Sequence, residues 1–184
     1  MDTILEYHFG NLQSKNRNEQ YEAFQAIMTA TENKVDWAYE VWDELKEDLT
    51  HKDQHRRARA AQFLSNLALS DPENRIMEDF PAIEAVTRDD KFVTARHSLQ
   101  AIWRIGLAGD EQKQMVVDSL ENRYLQSGEE ANYTLIRYDI IKDLRNLYRA
   151  TNDESIKEKA ETLIEKEEDP KYRKKYASVW KAKQ

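Results

Sequence analysis

The chain has 184 residues, 34% of them charged, and a formal net charge of −7. Four Gly and three Pro are few for an all-β or α/β protein, and the absence of Cys excludes disulfides, thiol nucleophiles and thiolate metal sites. No stretch approaches the ~20 apolar residues of a membrane span. The opening MDTILEYHFGNLQ is acidic where a signal peptide would be basic, so a cytoplasmic protein is expected.

Apolar residues recur at helical spacing almost everywhere. In chain order, helices are predicted over 18–32 (Tyr21, Phe24, Ile27, Met28), 35–49 (Ala38, Val41, Trp42, Leu45, Leu49), near 54–69, over 73–88 (Ile76, Phe80, Ile83, Val86) and over 91–108. Four more follow over 111–127 (Val116, Leu120, Tyr124), 132–150, 153–167 (Ile156, Ala160, Leu163, Ile164) and 170–182. That makes nine main helices and no strand pattern. Asp71-Pro72 and Asp169-Pro170 each read as an N-cap followed by proline in the first turn. Gly106, Gly109 and Gly128 stand just after apolar periods, where helices end.

Alternate helices superpose. Leu64, Ile102, Leu144 and Trp180 form one column, with Ala60, Ser98, Ile140 and Tyr176 four positions earlier. Leu67, Ile105 and Leu147 stand three positions later. A period of roughly 40 residues with two helices per unit is the pattern of a helical solenoid, whose pairs must stack because none buries its apolar face alone.

The segment SLQAIWRIG, residues 98–106, resembles the second-helix consensus of HEAT repeats, in which small and aliphatic residues precede a terminal Ile-Gly. Pro81 within EDFPAIEAV resembles the proline common in that family's first helix; it is otherwise awkward in mid-helix. The resemblance implies an all-α fold: a right-handed α-α superhelix of about four HEAT-like pairs, 34–70, 71–109, 110–152 and 153–184, behind an N-terminal cap, 1–33, forming one domain. The 130–151 stretch lacks the small residues of the pattern, and the last pair is aromatic.

Charge segregates by helix type. The first-helix segments 34–49, 71–90, 110–129 and 153–169 carry −4, −5, −3 and −5, and the second-helix segments 50–70, 91–109, 130–152 and 170–184 carry +3, +3, +1 and +6. In the HEAT-like arrangement second helices line the concave surface, so the resemblance implies a basic groove and an acidic exterior. A cleft of one sign attracts the opposite sign. The competing explanation is structural: Arg57, Arg59, Arg96 and Arg137 would pair with aspartates of adjacent repeats, as arginines often do in this family, and acidic first turns suit helix dipoles.

At 100° per residue, the stripe opposite the core on the second helices holds Ala58, Gln62, Ser65 and Leu69 in the first repeat and Arg96, Gln100, Trp103 and Leu107 in the second. In the third it holds Tyr138, Lys142, Arg145 and Arg149, and in the fourth Lys174, Ser178 and Lys181. Arg96, Gln100, Trp103, Tyr138, Lys142, Arg145, Arg149 and Lys174 are the candidate partner-binding residues. Trp, Tyr and Arg dominate binding hot spots. The other reading of Trp103 is ordinary packing between repeats.

Signs of chemistry are weak. His51 and His55 can meet on one helix face with Asp53 beside them, but they lack the HExxH glutamate and read as a solvated helix start. His8 and His97 have no visible partner. Among enzymes of the HEAT-like fold, metal-dependent hydroxylases use repeated His-Glu pairs that this chain lacks, and bilin lyases leave no motif to test. Alkylpurine DNA glycosylases place Trp and Asp on a basic concave face. Here Asp139 and Asp143 lie beside the predicted stripe and not on it. No catalytic residue, metal or cofactor is predicted. In the C-terminal KYRKKYASVWKAK, Tyr172, Tyr176 and Trp180 share one face and read as closing the last repeat, while Arg173, Lys174, Lys175, Lys181 and Lys183 keep the end soluble. The expected function is a non-enzymatic interaction module that takes an acidic protein or peptide in a basic concave groove. A nucleic-acid-binding protein related to the glycosylases is the alternative, opposed by the net charge of −7.

Overall fold

The computed structural model describes residues 1–181, so Lys183 and the end of the predicted last helix lie outside the described residues. Among these there is no strand. The chain divides into two compact units, Met1–Ser98 and Leu99–Gln184.

The first unit holds α1 (Thr3–Asn11), α2 (Arg17–Thr31), α3 (Ala38–Asp48), α4 (Gln54–Leu67), α5 (Arg75–Val86) and most of α6 (Phe92–Leu99). Helices α1, α2 and α4 start where side chains satisfy the free N–H groups of a first turn. The Asp2, Asn16 and Asp53 carboxyl or amide oxygens accept from the N–H of Leu5, Asn18 and His55 at 2.9, 3.0 and 2.8 Å. Helix α1 was not anticipated. It buries no residue, and so carries no core stripe for periodicity to detect. Its end is held by the Phe9 ring, edge-on to Trp37 and Phe63 at 6.0 and 6.1 Å.

Asp71-Pro72 behaves differently from its expected role. Helix α5 begins three residues later than Pro72, after Asn74 in the left-handed region (φ 56°). Asp71 nonetheless caps it from a distance: its carboxylate accepts from the N–H of Arg75 and Ile76 at 3.0 and 2.7 Å, and also from the Tyr39 hydroxyl. Pro81 sits inside α5 on its exposed side, so the missing N–H removes one intrahelical bond without placing the ring in the core.

The second unit holds α7 (Asp110–Gln126), α8 (Tyr133–Thr151), α9 (Glu154–Glu165) and α10 (Pro170–Lys181). Here Asp169-Pro170 does cap as predicted, with the Lys171 N–H donating to the Asp169 carboxylate at 2.8 Å. Asp153 caps α9 in the same way and pairs with Lys113 at 2.7 Å.

The predicted single helix over 91–108 is two elements. Helix α6 ends at Leu99, and a 3-10 helix runs over Ile102–Leu107. Residues three apart eclipse in a 3-10 helix, so Ile102 and Ile105 fall in one file, and both are buried. Gly106 permits the close packing of this segment: a Cβ there would come within 2.9 Å of Leu147 on α8.

The core columns sit as the repeat pattern places them. Ala60, Leu64 and Leu67 are buried in the first unit. Ile102, Ile105, Ile140, Leu144, Leu147 and Tyr176 are buried in the second. Trp180 is half-buried against Tyr148, ring centroids 5.4 Å apart. The C-terminal aromatics close the core, with Tyr176 packed edge-on to Tyr124 at 6.4 Å and its hydroxyl donating to the Thr134 carbonyl at 3.1 Å.

Candidate partner-binding surfaces

In the second unit, Tyr138 and Lys142 are one turn apart on α8, and the Lys142 ammonium lies 5.8 Å from the Tyr138 ring centroid. Lys175 of α10 reaches the same ring at 4.9 Å. The half-buried ring thus has two ammonium groups against it, both on exposed side chains. Lys174 and Arg149 are exposed on the same two helices. Among the described residues, Lys142, Arg149, Lys174 and Lys175 have no carboxylate within ion-pair distance. Arg145 is half-buried, and burial followed by repulsion from Arg149 lowers its pKa.

The remaining candidates of this unit differ in setting. Gln100 is exposed and donates to the Asp139 carboxylate at 3.2 Å. Trp103 lies in the 3-10 segment, where the step is about 120° per residue rather than 100°. That turn puts it in file with Gly106, on the side that meets α8. It is accordingly half-buried, with the Arg104 guanidinium 5.4 Å from its ring centroid. Below the exposed cations, Asp139 and Asp143 are buried one turn apart on α8. Burial, reinforced by the Asp139 charge, pushes the Asp143 carboxyl well above the usual carboxylate range, with Lys142 opposing the shift.

Arg96 belongs to the first unit and is half-buried on α6. That unit contains a groove of about 1110 Å³ on the surface of α2, α4 and α6, all second helices by the repeat pattern. Ala58 and Gln62 line it, as their predicted stripe requires, whereas Ser65 of that stripe is buried. On α6 the lining residues are Phe92, Val93, Thr94 and His97, not Arg96. On α2 they include Tyr21 and Phe24, which the sequence pattern assigned to the core stripe. Tyr21 is 65% exposed and Val93 67%.

Several arginines are structural. Arg57 grips Asp89 with two hydrogen bonds, 2.6 and 3.0 Å, and Arg137 pairs with buried Glu167 at 2.8 Å while lying 4.6 Å from the Tyr124 ring. Arg59 donates to the Leu12 carbonyl at 3.0 Å instead of meeting an aspartate. Part of the basic bias of the second helices is therefore consumed in packing. The His51–His55 segment is a helix start: Asp53 caps α4 and meets the His55 ring at 3.1 Å. Among the described residues, no three His, Asp or Glu side chains converge to hold a metal ion, and no helix is long and apolar enough to cross a membrane.

No family model and no curated protein matches the chain. Solved structures do. An engineered protein from a structural genomics programme is 19% identical at a TM-score of 0.55, over 97% of this chain and 79% of that one. A second engineered protein is 16% identical at 0.50, over 97% and 78%. A designed armadillo repeat protein in complex with the peptide (KR)4 is 11% identical at 0.46, over 98% and 99%. The chain is an all-α helical-repeat protein, and the likeness to the engineered proteins concerns that fold alone.

Proposed function

We propose that the protein is a non-enzymatic interaction module of HEAT type, and that α8 and α10 bind an acidic segment of a partner protein. One observation carries this reading: an aromatic ring with two ammonium groups against it, among cations that have no carboxylate partner within the described residues, in a chain of net charge −7. In an acidic protein, a cluster of cations left unpaired supports steering of an opposite charge. Lys142, Arg145, Arg149 and Lys174 would meet the partner's carboxylates, with Tyr138 and Trp103 giving apolar contact and Gln100 a hydrogen bond.

Nucleic acid is the second reading, favoured by the same cations and by the ring on which a base could stack. The acidic remainder of the chain opposes it, since non-specific affinity for nucleic acid is largely electrostatic.

Fluorescence anisotropy separates the two. A labelled peptide of alternating Glu and Gly is titrated beside labelled single- and double-stranded DNA, at ~50 and ~200 mM salt. The acidic peptide is expected to bind at both salts, and Lys142→Glu with Lys175→Glu to weaken it at least about tenfold. DNA binding that collapses between the two salts, with no peptide binding, would transfer the site to the second reading.

A further inference from the structure

The groove of the first unit has an apolar floor, apolar rims and an unusual density of side-chain amides. Phe24 packs on Phe63 at 5.7 Å beneath it, and Ala58 leaves a depression on α4 because it has no side chain beyond Cβ. Tyr21 on α2 and Val93 on α6 stand largely exposed. Thr94 ties α6 to α4 by donating to the Gln54 carbonyl at 3.2 Å, so the α4 and α6 sides of the groove are fixed to each other.

Five glutamines line the groove. Gln20 spends its amide on the Ser14 carbonyl. Among the described residues, the side chains of Gln13, Gln25, Gln54 and Gln62 have no hydrogen-bond partner, although Gln54 and Gln62 are half-buried. Each amide offers two donors and two acceptor sites, as a peptide group offers a donor and an acceptor. Small-molecule pockets are typically about 300–1,000 Å³ and mainly apolar. This groove is larger and amide-rich, which suits a polymer with a repeating amide backbone.

The charge at the groove is positive. Arg17 and Lys91 are exposed and, among the described residues, without a carboxylate partner. Arg59 adds a third positive charge. Asp53 is the one carboxylate in the lining, and it is already engaged by the His55 backbone N–H and ring.

We infer that this groove is a second binding site, independent of the α8–α10 surface, for an extended partner polypeptide carrying a bulky apolar side chain beside an acidic residue. The apolar side chain sits over Ala58 and Phe24 between Tyr21 and Val93. The acidic residue meets Arg17 or Lys91, and the unpartnered glutamines pair with the backbone.

The test is a displayed library of random dodecapeptides, panned on the whole protein and on two groove variants. Ala58→Trp fills the depression. Tyr21→Ala with Val93→Ser removes side chains that are mostly exposed, so the fold is kept, as circular dichroism would verify. The expected result is a consensus pairing Phe, Trp or Leu with Asp or Glu, whose synthetic peptide loses at least about tenfold in affinity for both variants. That peptide is expected to keep its affinity for Lys142→Glu with Lys175→Glu. A groove-dependent consensus that is basic, or that lacks a bulky apolar residue, would overturn the assigned chemistry. Enrichment indifferent to both variants, or no enrichment, would overturn the site itself. None of these outcomes bears on the anisotropy test of the α8–α10 surface.

Discussion

The indole N–H of Trp42 on α3 donates to the Asp79 carboxylate on α5 at 2.9 Å, and the Lys46 ammonium closes on the other oxygen at 2.5 Å. Trp42 is fully buried and Asp79 nearly so. The contact ties the first helices of two successive pairs through polar atoms that must be satisfied once out of water. Asp79→Ala would strand the indole N–H and is expected to cost about 1–3 kcal/mol in urea unfolding, with Asp79→Asn costing less because an acceptor remains. Burial acts to raise the Asp79 pKa, but the hydrogen bonds from Lys46 and Trp42 outweigh it and hold the carboxyl below its usual value. A carboxyl depressed in the fold contributes stability that is complete above its unfolded pKa of about 3.9 and is lost as pH falls through the folded value. The gap between wild type and Asp79→Asn should therefore narrow below about pH 4.

Asp143 gives the opposite sign. Its carboxyl is buried, and the shift is upward, from burial first and the Asp139 charge second. A carboxyl that binds its proton more tightly in the fold is most favourable below the unfolded pKa, and its contribution declines as pH rises toward the folded value. Asp143→Asn keeps the shape and removes the ionisation. The variant is expected to melt at a higher temperature than wild type at pH 8 and to show a smaller difference at pH 4, read by calorimetry at both.

Tyr176 separates packing from hydrogen bonding at the C-terminal end. It is fully buried and donates to the Thr134 carbonyl. Tyr176→Phe should cost about 1 kcal/mol, the net value of one hydrogen bond. Tyr176→Ala should cost about 3–5 kcal/mol, because it opens a cavity beside Tyr124. Equal losses in chemical denaturation would show that the ring does not fill the core.

Trp103 is half-buried, which fits neither a free-standing anchor nor a core residue. If it contacts the partner, Trp103→Ala should lower stability by only about 1 kcal/mol, below the several kcal/mol of a core truncation, while weakening the acidic peptide at least about tenfold. A loss of about 3 kcal/mol or more with unchanged binding would assign it to packing.

The sequence carried the fold because burial has a period. Leu64, Ile102 and Leu144 recur about 40 residues apart, and each is buried in its own unit. Three things were less legible, each for a physical reason. Helix α1 puts Ile4 and Tyr7 in solvent, leaving no stripe to read. The break after Leu99 has no Gly or Pro to announce it, and the change from 100° to about 120° per residue shifts every position after it, Trp103 included. The groove residues Tyr21 and Phe24 continue the helical spacing of buried Ile27, so exposed and core positions on α2 share one pattern. Of the predicted binding residues, Tyr138, Lys142, Arg145, Arg149 and Lys174 share two helices of one unit; that Lys142, Arg149 and Lys174 are exposed and, among the described residues, without an ion pair is a property of packing that spacing alone does not reveal.

The most direct measurement is an NMR titration of the isotopically labelled protein with the unlabelled Glu-Gly peptide. Binding by the unpaired cations requires saturable shifts of the amides of Tyr138, Lys142, Lys174 and Lys175 and of the Trp103 indole N–H. It also requires that the amides of the acidic helices α3, α5, α7 and α9 stay still. Shifts confined to those acidic helices, or no shift at tenfold peptide excess, would contradict it.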